Sequence, residues 1–344
     1  MTKLLTALTL TFTLGSLTAA ESAGSSISAA MQEIAQQELD KGVQQYNARG
    51  GCMLVLEAAT GDILAQAQSG DTLTVNTPFE PCALFIPVTV AAGLELTFKP
   101  ETPVDINTLV LEDGTTIKSL YPHRAMPVWC AITKSLDAAT ARIALQTTAF
   151  HFCLFISKFG FSEGLGNVNP VKRLAMVSQG KEIHFTPLQM AAFYAAVANG
   201  GIVATPDTTP GAGSEPVRGM ETETASAIME AMEAAVTGQR KFDGINVRGT
   251  ANKATVPGVR IACKTGTTKI RRTNHYHYEY ITSAVSIFPV EAPKLVVLTV
   301  IDNPRPKHIN PGGGTVAAPI LSDTVKRLLP EIGITPATDT QNAK

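Results

Sequence analysis

The chain has 344 residues, 44% of them hydrophobic and 17% charged, with a formal net charge of −1 at pH 7. That composition supplies one large domain or two small ones with an apolar core, and it excludes wholesale disorder. It also excludes a nucleic-acid binder, because the local basic run Lys269-Ile270-Arg271-Arg272 reads as a solvated loop and nothing else concentrates positive charge.

In chain order, Lys3 is followed by an uncharged apolar run from Leu4 to Leu17 and by the small residues Thr18-Ala19-Ala20. This pattern predicts an export signal over residues 1–20, or an N-terminal anchor. The run falls short of the roughly 20 apolar residues of a membrane span. Ser25 or Ser26 caps a helix carrying Met31, Ile34, Ala35, Leu39 and Val43 at helical spacing, closed by Gly50-Gly51. Cys52 to Leu56 and Ile63 to Ala67 predict two strands of a hairpin around Thr60-Gly61-Asp62. The stretch from about 70 to 250 is mainly helical. Its clearest segments are an all-round apolar helix from Leu84 to Phe98, a helix from Ser135 to Ala149 and a helix from Glu221 to Val236. Another starts at Thr186-Pro187-Leu188-Gln189, where threonine caps and proline fills the first turn, and ends at Asn199-Gly200-Gly201. Pro206 to Gly213 is a Pro/Gly/Thr loop. Strand character returns in Val259 to Cys263, Tyr278 to Phe288 and Leu295 to Ile301, before a closing helix from Thr315 to Leu329. The polar residues 335–344 predict a disordered tail. Strands at both ends of a helical middle predict an α+β fold, an antiparallel sheet with flanking helices plus an all-helical lobe.

The five cysteines, Cys52, Cys82, Cys130, Cys153 and Cys263, match no zinc spacing, and their odd number leaves at least one unpaired. His275 and His277 alternate with tyrosines but lack a third ligand. No metal and no cofactor is expected.

Three stretches point to a chemistry. Phe79-Glu80-Pro81-Cys82-Ala83-Leu84-Phe85-Ile86-Pro87 leads into the buried helix, Ser135-Leu136-Asp137 opens a helix, and Lys264-Thr265-Gly266-Thr267 ends an apolar strand after Pro257-Gly258. In this order they resemble the Ser-x-x-Lys, Ser-x-Asn and Lys-Thr-Gly positions of penicillin-binding transpeptidases, class B or bitopic type, and of serine β-lactamases. Thr186-Pro187-Leu188-Gln189 and Ala317-Ala318-Pro319 are similar to helix openings of the same family. The resemblance implies one transpeptidase-like domain over 21–334, with a sheet lobe at about 21–75 and 250–334 and a helical lobe at about 76–249.

In that register Ala83 stands where the family has its nucleophilic serine, Ile86 where it has the activating lysine, and Asp137 where it has asparagine. The expectation is therefore a chain that is not an enzyme: a pseudoenzyme of the D,D-transpeptidase family, exported to the periplasm or cell envelope. It would bind or scaffold in peptidoglycan synthesis, with stem peptides or cell-wall synthesis proteins as partners. Ser135, Lys264, Thr265, Gly266 and Thr267 are the expected substrate-binding residues. The alternative keeps penicillin or stem-peptide binding, or D,D-transpeptidase activity, through another nucleophile, Cys82 or Ser135. Asp137 either pairs with Lys264 across the cleft or simply caps its helix. Ser178-Gln179-Gly180-Lys181 matches Ser-x-x-Lys only formally and reads as coincidence.

Overall fold

Strand side chains alternate between the two faces of a sheet, so a strand apolar at every position needs cover on both sides. Five strands, two of them almost wholly apolar, form the centre of the computed structural model, which describes residues 25–119, 121, 125–161, 170–203, 205–209, 217–271 and 278–335. They are β1 (Gly50–Glu57), β2 (Ile63–Ser69), β3 (Ala262–Arg271), β4 (Tyr278–Phe288) and β5 (Leu295–Asp302). Their order is β3-β4-β5-β1-β2, antiparallel throughout, so chain start and chain end meet in the middle where β1 pairs with β5. On β1, Cys52, Leu54 and Leu56 enter one core while Met53 and Val55 enter the other.

The second core lies under α1 (Ala29–Gln45) and the C-terminal helix Ala318–Leu328. Ser28 caps α1 by accepting from the Met31 N–H, two residues beyond the serines the sequence suggested. The hydroxyls of Thr282, Ser286 and Thr299, buried in the sheet, have no hydrogen-bond partner among the described residues.

The first core holds the helical lobe: α2 (Ile86–Leu96), α3 (Trp129–Lys134), α4 (Asp137–Thr147), α5 (Ala149–Ser157), α6 (Val171–Val177), α7 (Pro187–Ala198) and α8 (Thr222–Thr237), with the C-terminal helix numbered α9. The predicted α7 is present with its full capping box, Thr186 Oγ1 accepting from Gln189 N–H and Gln189 Oε1 from Thr186 N–H. Three expectations shift. The buried helix begins at Ile86, not Leu84, because Cys82 sits at φ +45° and Cys82–Phe85 forms a separate 3-10 turn. The helix predicted over 135–149 is shortened to Asp137–Thr147, since Ser135 (φ +54°) and Thr148 (φ +70°) both leave helical geometry. The Lys-Thr-Gly run does not end its strand. β3 continues to Arg271 because Thr265, Thr267 and Thr268 are β-branched and β4 pairs with them throughout. The predicted signal, most of the tail and the pair His275 and His277 lie outside the described residues.

Candidate active site

The 3-10 turn Cys82–Phe85 is held from three sides. Buried Tyr194 on α7 donates its phenol to the Leu84 carbonyl at 2.6 Å. Phe85 stacks on Phe185 at 5.5 Å and meets Phe161 edge-on at 5.3 Å. Gly180 packs its backbone directly on the turn, accepting from the Cys82 N–H at 2.9 Å. A Cβ on Gly180 would stand 2.3 Å from the Cys82 carbonyl oxygen, at a φ of +70°, so only glycine fits. Gly266 gives β3 the same freedom, since its own Cβ would meet the Ser283 hydroxyl at 2.5 Å and the Pro81 carbonyl at 3.1 Å. Turn and motif strand thus lie backbone against backbone.

Ala83, half-buried in this turn, offers no nucleophilic atom, and fully buried Ile86 offers no base. The Ala83 N–H has no hydrogen-bond acceptor among the described residues. That N–H is open to an acceptor from outside the chain.

Across from the turn, Ser135 occupies the left-handed link between α3 and α4 and is half-buried. Lys264 is completely buried on β3 and donates to Ser135 Oγ at 2.7 Å and to the Thr265 carbonyl at 2.8 Å. Burial lowers the Lys264 ammonium to about 7, and the charge of Asp137 opposes this. A lysine in that range takes up a proton near neutrality, which a surface lysine does not. Ser135 also borders a cavity of about 70 Å³ lined by Ile106, Lys118, Ser119, Tyr121 and Asp137. On the same strand Thr265 donates to Thr250 Oγ1 at 3.0 Å, and Thr267, exposed, accepts from the Gly313 N–H at 2.9 Å.

Two details differ from expectation. Asp137 does not pair with Lys264. Its Oδ2 lies 2.7 Å from Lys181 Nζ, and Lys181 also donates to buried Gln179 at 2.7 Å. Nor does Asp137 act as an N-cap, since it is already the first residue of α4, after Leu136. Ser178 is fully buried and spends its hydroxyl on the Ala175 carbonyl, so the Ser178-x-x-Lys181 pattern is no nucleophile motif. Its lysine nevertheless belongs to the site. Nothing in the spacing announced this, because the loop folds back onto the Cys82 turn only through Gly180.

Cys82 is a poor nucleophile. Burial pushes its thiol up to about 12, the Thr268 hydroxyl opposes this, and the sulfur's hydrogen bond goes to Glu80 at 3.3 Å. All five cysteines are free. Among the described residues no group of His, Cys, Asp and Glu could hold a metal ion, and no helix is long and apolar enough to cross a membrane.

The model of the penicillin binding protein transpeptidase domain matches residues 51–326. The chain belongs to that family. Among curated relatives, Stage V sporulation protein D of Bacillus subtilis (strain 168) is 25% identical over 89% of this chain and 53% of its own length. Peptidoglycan D,D-transpeptidase FtsI of Escherichia coli (strain K12) is 26% identical over 92% of this chain and 58% of its own. The chain thus spans little more than half of these relatives. The fold matches the TP domain of penicillin-binding protein 3 from Burkholderia pseudomallei with a TM-score of 0.77 and 24% identity, covering 92% of this chain and 98% of that one. The α+β fold expected for a penicillin-binding transpeptidase is thereby established.

The expectation that the chain is not an enzyme does not stand. FtsI, and the Neisseria flavescens PenA that aligns along 91% of this chain, are named as a D,D-transpeptidase and a probable one. The family is one of enzymes, and the absence of a hydroxyl at Ala83 excludes one nucleophile without showing that activity is lost.

Proposed function

We propose that this domain recognises the D-alanyl-D-alanine end of peptidoglycan stem peptides, and that its acyl chemistry runs through Ser135 with Lys264 as base. The observation that carries this is the 2.7 Å contact between Lys264 Nζ and Ser135 Oγ, made by a buried lysine whose proton is held only to about pH 7. Neutral Lys264 takes the Ser135 proton as the oxygen bonds to the peptide carbonyl carbon. It returns that proton to the departing D-alanine amine, and an acceptor amine then releases the acyl group. The free Ala83 N–H and the Thr267 N–H face the developing oxyanion in this scheme. Thr265, Gly266 and Thr267 line the strand along which the peptide lies. Ala83, Ile86 and Asp137 are the positions at which this chain has left the usual family pattern. We place the domain at 21–334, behind an export signal or anchor at 1–20 and ahead of a polar tail at 335–344, in the cell envelope. Its protein partners belong to cell-wall synthesis.

A fluorescent penicillin and peptide mapping test the scheme. The expected adduct sits on Ser135 and vanishes in Ser135→Ala and in Lys264→Met, while Cys82→Ala keeps it. An adduct that survives Ser135→Ala, or no adduct together with no release of D-alanine from a stem-peptide mimic, overturns it.

A further inference from the structure

Position 86 is filled by a completely buried isoleucine, so α2 brings no cation to the site. A cation arrives instead from the segment between α6 and α7. Lys181 bridges Asp137 Oδ2 and Gln179 Oε1, both at 2.7 Å. Gln179 is itself fixed, being 1% exposed and donating to the Ala175 carbonyl at 2.6 Å. Gly180, seated on the Cys82 turn, sets where Lys181 can reach. Asp137 lies two residues from Ser135, and its charge is felt at Lys264.

Asp137 is the carboxylate whose charge reaches Lys264, and several other charged groups on the elements around it are engaged elsewhere. Glu80 on the turn accepts from Cys82 and from the Glu182 N–H. On α8, Glu230 pairs with Arg240 and Glu233 with Arg260. Lys134 on α3 reaches the Arg248 carbonyl, and Cys263, next to Lys264 on β3, is neutral at neutral pH because burial raises its thiol. Asp137 is therefore the carboxylate whose freedom matters to Lys264, and Lys181 restrains it.

We propose that Lys181 is a positioning residue of this site: by clamping Asp137 it sets how much negative charge Lys264 meets, and so the pH at which the Ser135–Lys264 pair becomes reactive. This rests on the assignment of that pair under the proposed function. Without Lys181 the Asp137 carboxylate loses its neutralising partner. Its field at Lys264 grows, the ammonium form is favoured, and the base is available only at higher pH.

The test follows the ε-carbon resonance of Lys264 in ¹³C-lysine-labelled protein from pH 5 to 10, assigned by its loss in Lys264→Met. In Lys181→Met the titration midpoint is expected to rise by about one pH unit. It should stay in place in Lys181→Arg, and return to or below the starting value when Asp137→Asn is added to Lys181→Met. Should Lys181→Met fail to fold, Lys181→Gln carries the same comparison, since it removes the charge and keeps a donor for Asp137. An unmoved midpoint in a folded neutral variant overturns the clamp, as does an equal shift in Lys181→Arg. The pH profile of penicillin labelling, measured in parallel, separates the two proposals. A shifted midpoint with no adduct at any pH leaves the clamp standing and removes the Ser135 chemistry. An adduct with an unmoved midpoint does the reverse.

Discussion

A buried lysine without a carboxylate at its ammonium is costly to keep charged, and Lys264 shows what that cost does to stability. Its ammonium is held to about 7, against 10.5 for an ordinary lysine. Between those values the unfolded chain holds this proton and the folded chain does not, so wild-type stability rises with pH through that window. Lys264→Met has no such dependence. It should be more stable than wild type at pH 6.5, on the order of 1–4 kcal/mol, with the difference shrinking toward pH 9.5. Urea unfolding at the two pH values measures this, and a difference independent of pH would count against a depressed lysine. The cysteines allow a second check. Burial holds the thiols of Cys82, Cys130 and Cys263 near 12 and Cys52 higher still, whereas Cys153 is only half-buried. Iodoacetamide on the native protein should therefore modify Cys153 first, and early labelling of Cys82 would contradict its burial. Much of this site was legible in the sequence: Ala83, Ile86, Ser135 and Lys264 were placed by local motifs. Lys181 was not, because its membership depends on a loop closing back over 44 residues onto Asp137.

At the level of elements, the segment 178–181 joins the helical lobe to the Cys82 turn. Gly180→Ala adds a methyl group 2.3 Å from a backbone oxygen in a left-handed conformation, with no flexible side chain to give way. The expected loss is about 2 kcal/mol or more, read as a lower urea midpoint, and the Cys82 turn should shift with it. By contrast, Thr186→Ala removes half of the α7 capping box and should cost about 1 kcal/mol with the site unchanged. Near-wild-type stability for Gly180→Ala would mean that the loop is not seated on the turn as described. Elements with a strong local signal, such as α7, β4 and β5, were foreseen nearly to their ends. Short α3, α5 and α6 were not, since Ala149–Ser157 is apolar on nearly every side and carries little periodicity of its own. The breaks at Cys82, Ser135 and Thr148 come from positive φ values at ordinary residues, which tertiary contacts impose and sequence pattern does not display.

At the scale of the molecule, one sheet separates two cores and both depend on it. β5 lies at its centre, and all eight of its residues are buried. Its amides from Val296 to Val300 should be the last to exchange with deuterium, opening only with global unfolding. Slower exchange in the edge strand β2 would contradict this topology. The burial of Ile86 also decides what a charged substitution there would meet. A lysine at residue 86 would enter a fully enclosed position, and the Asp137 carboxylate is already paired with Lys181. An unpartnered buried charge costs several kcal/mol, so Ile86→Lys is unfavourable while Lys181 holds Asp137. The two positions are thus interlocked: what residue 86 can become depends on a side chain nearly a hundred residues further along the chain.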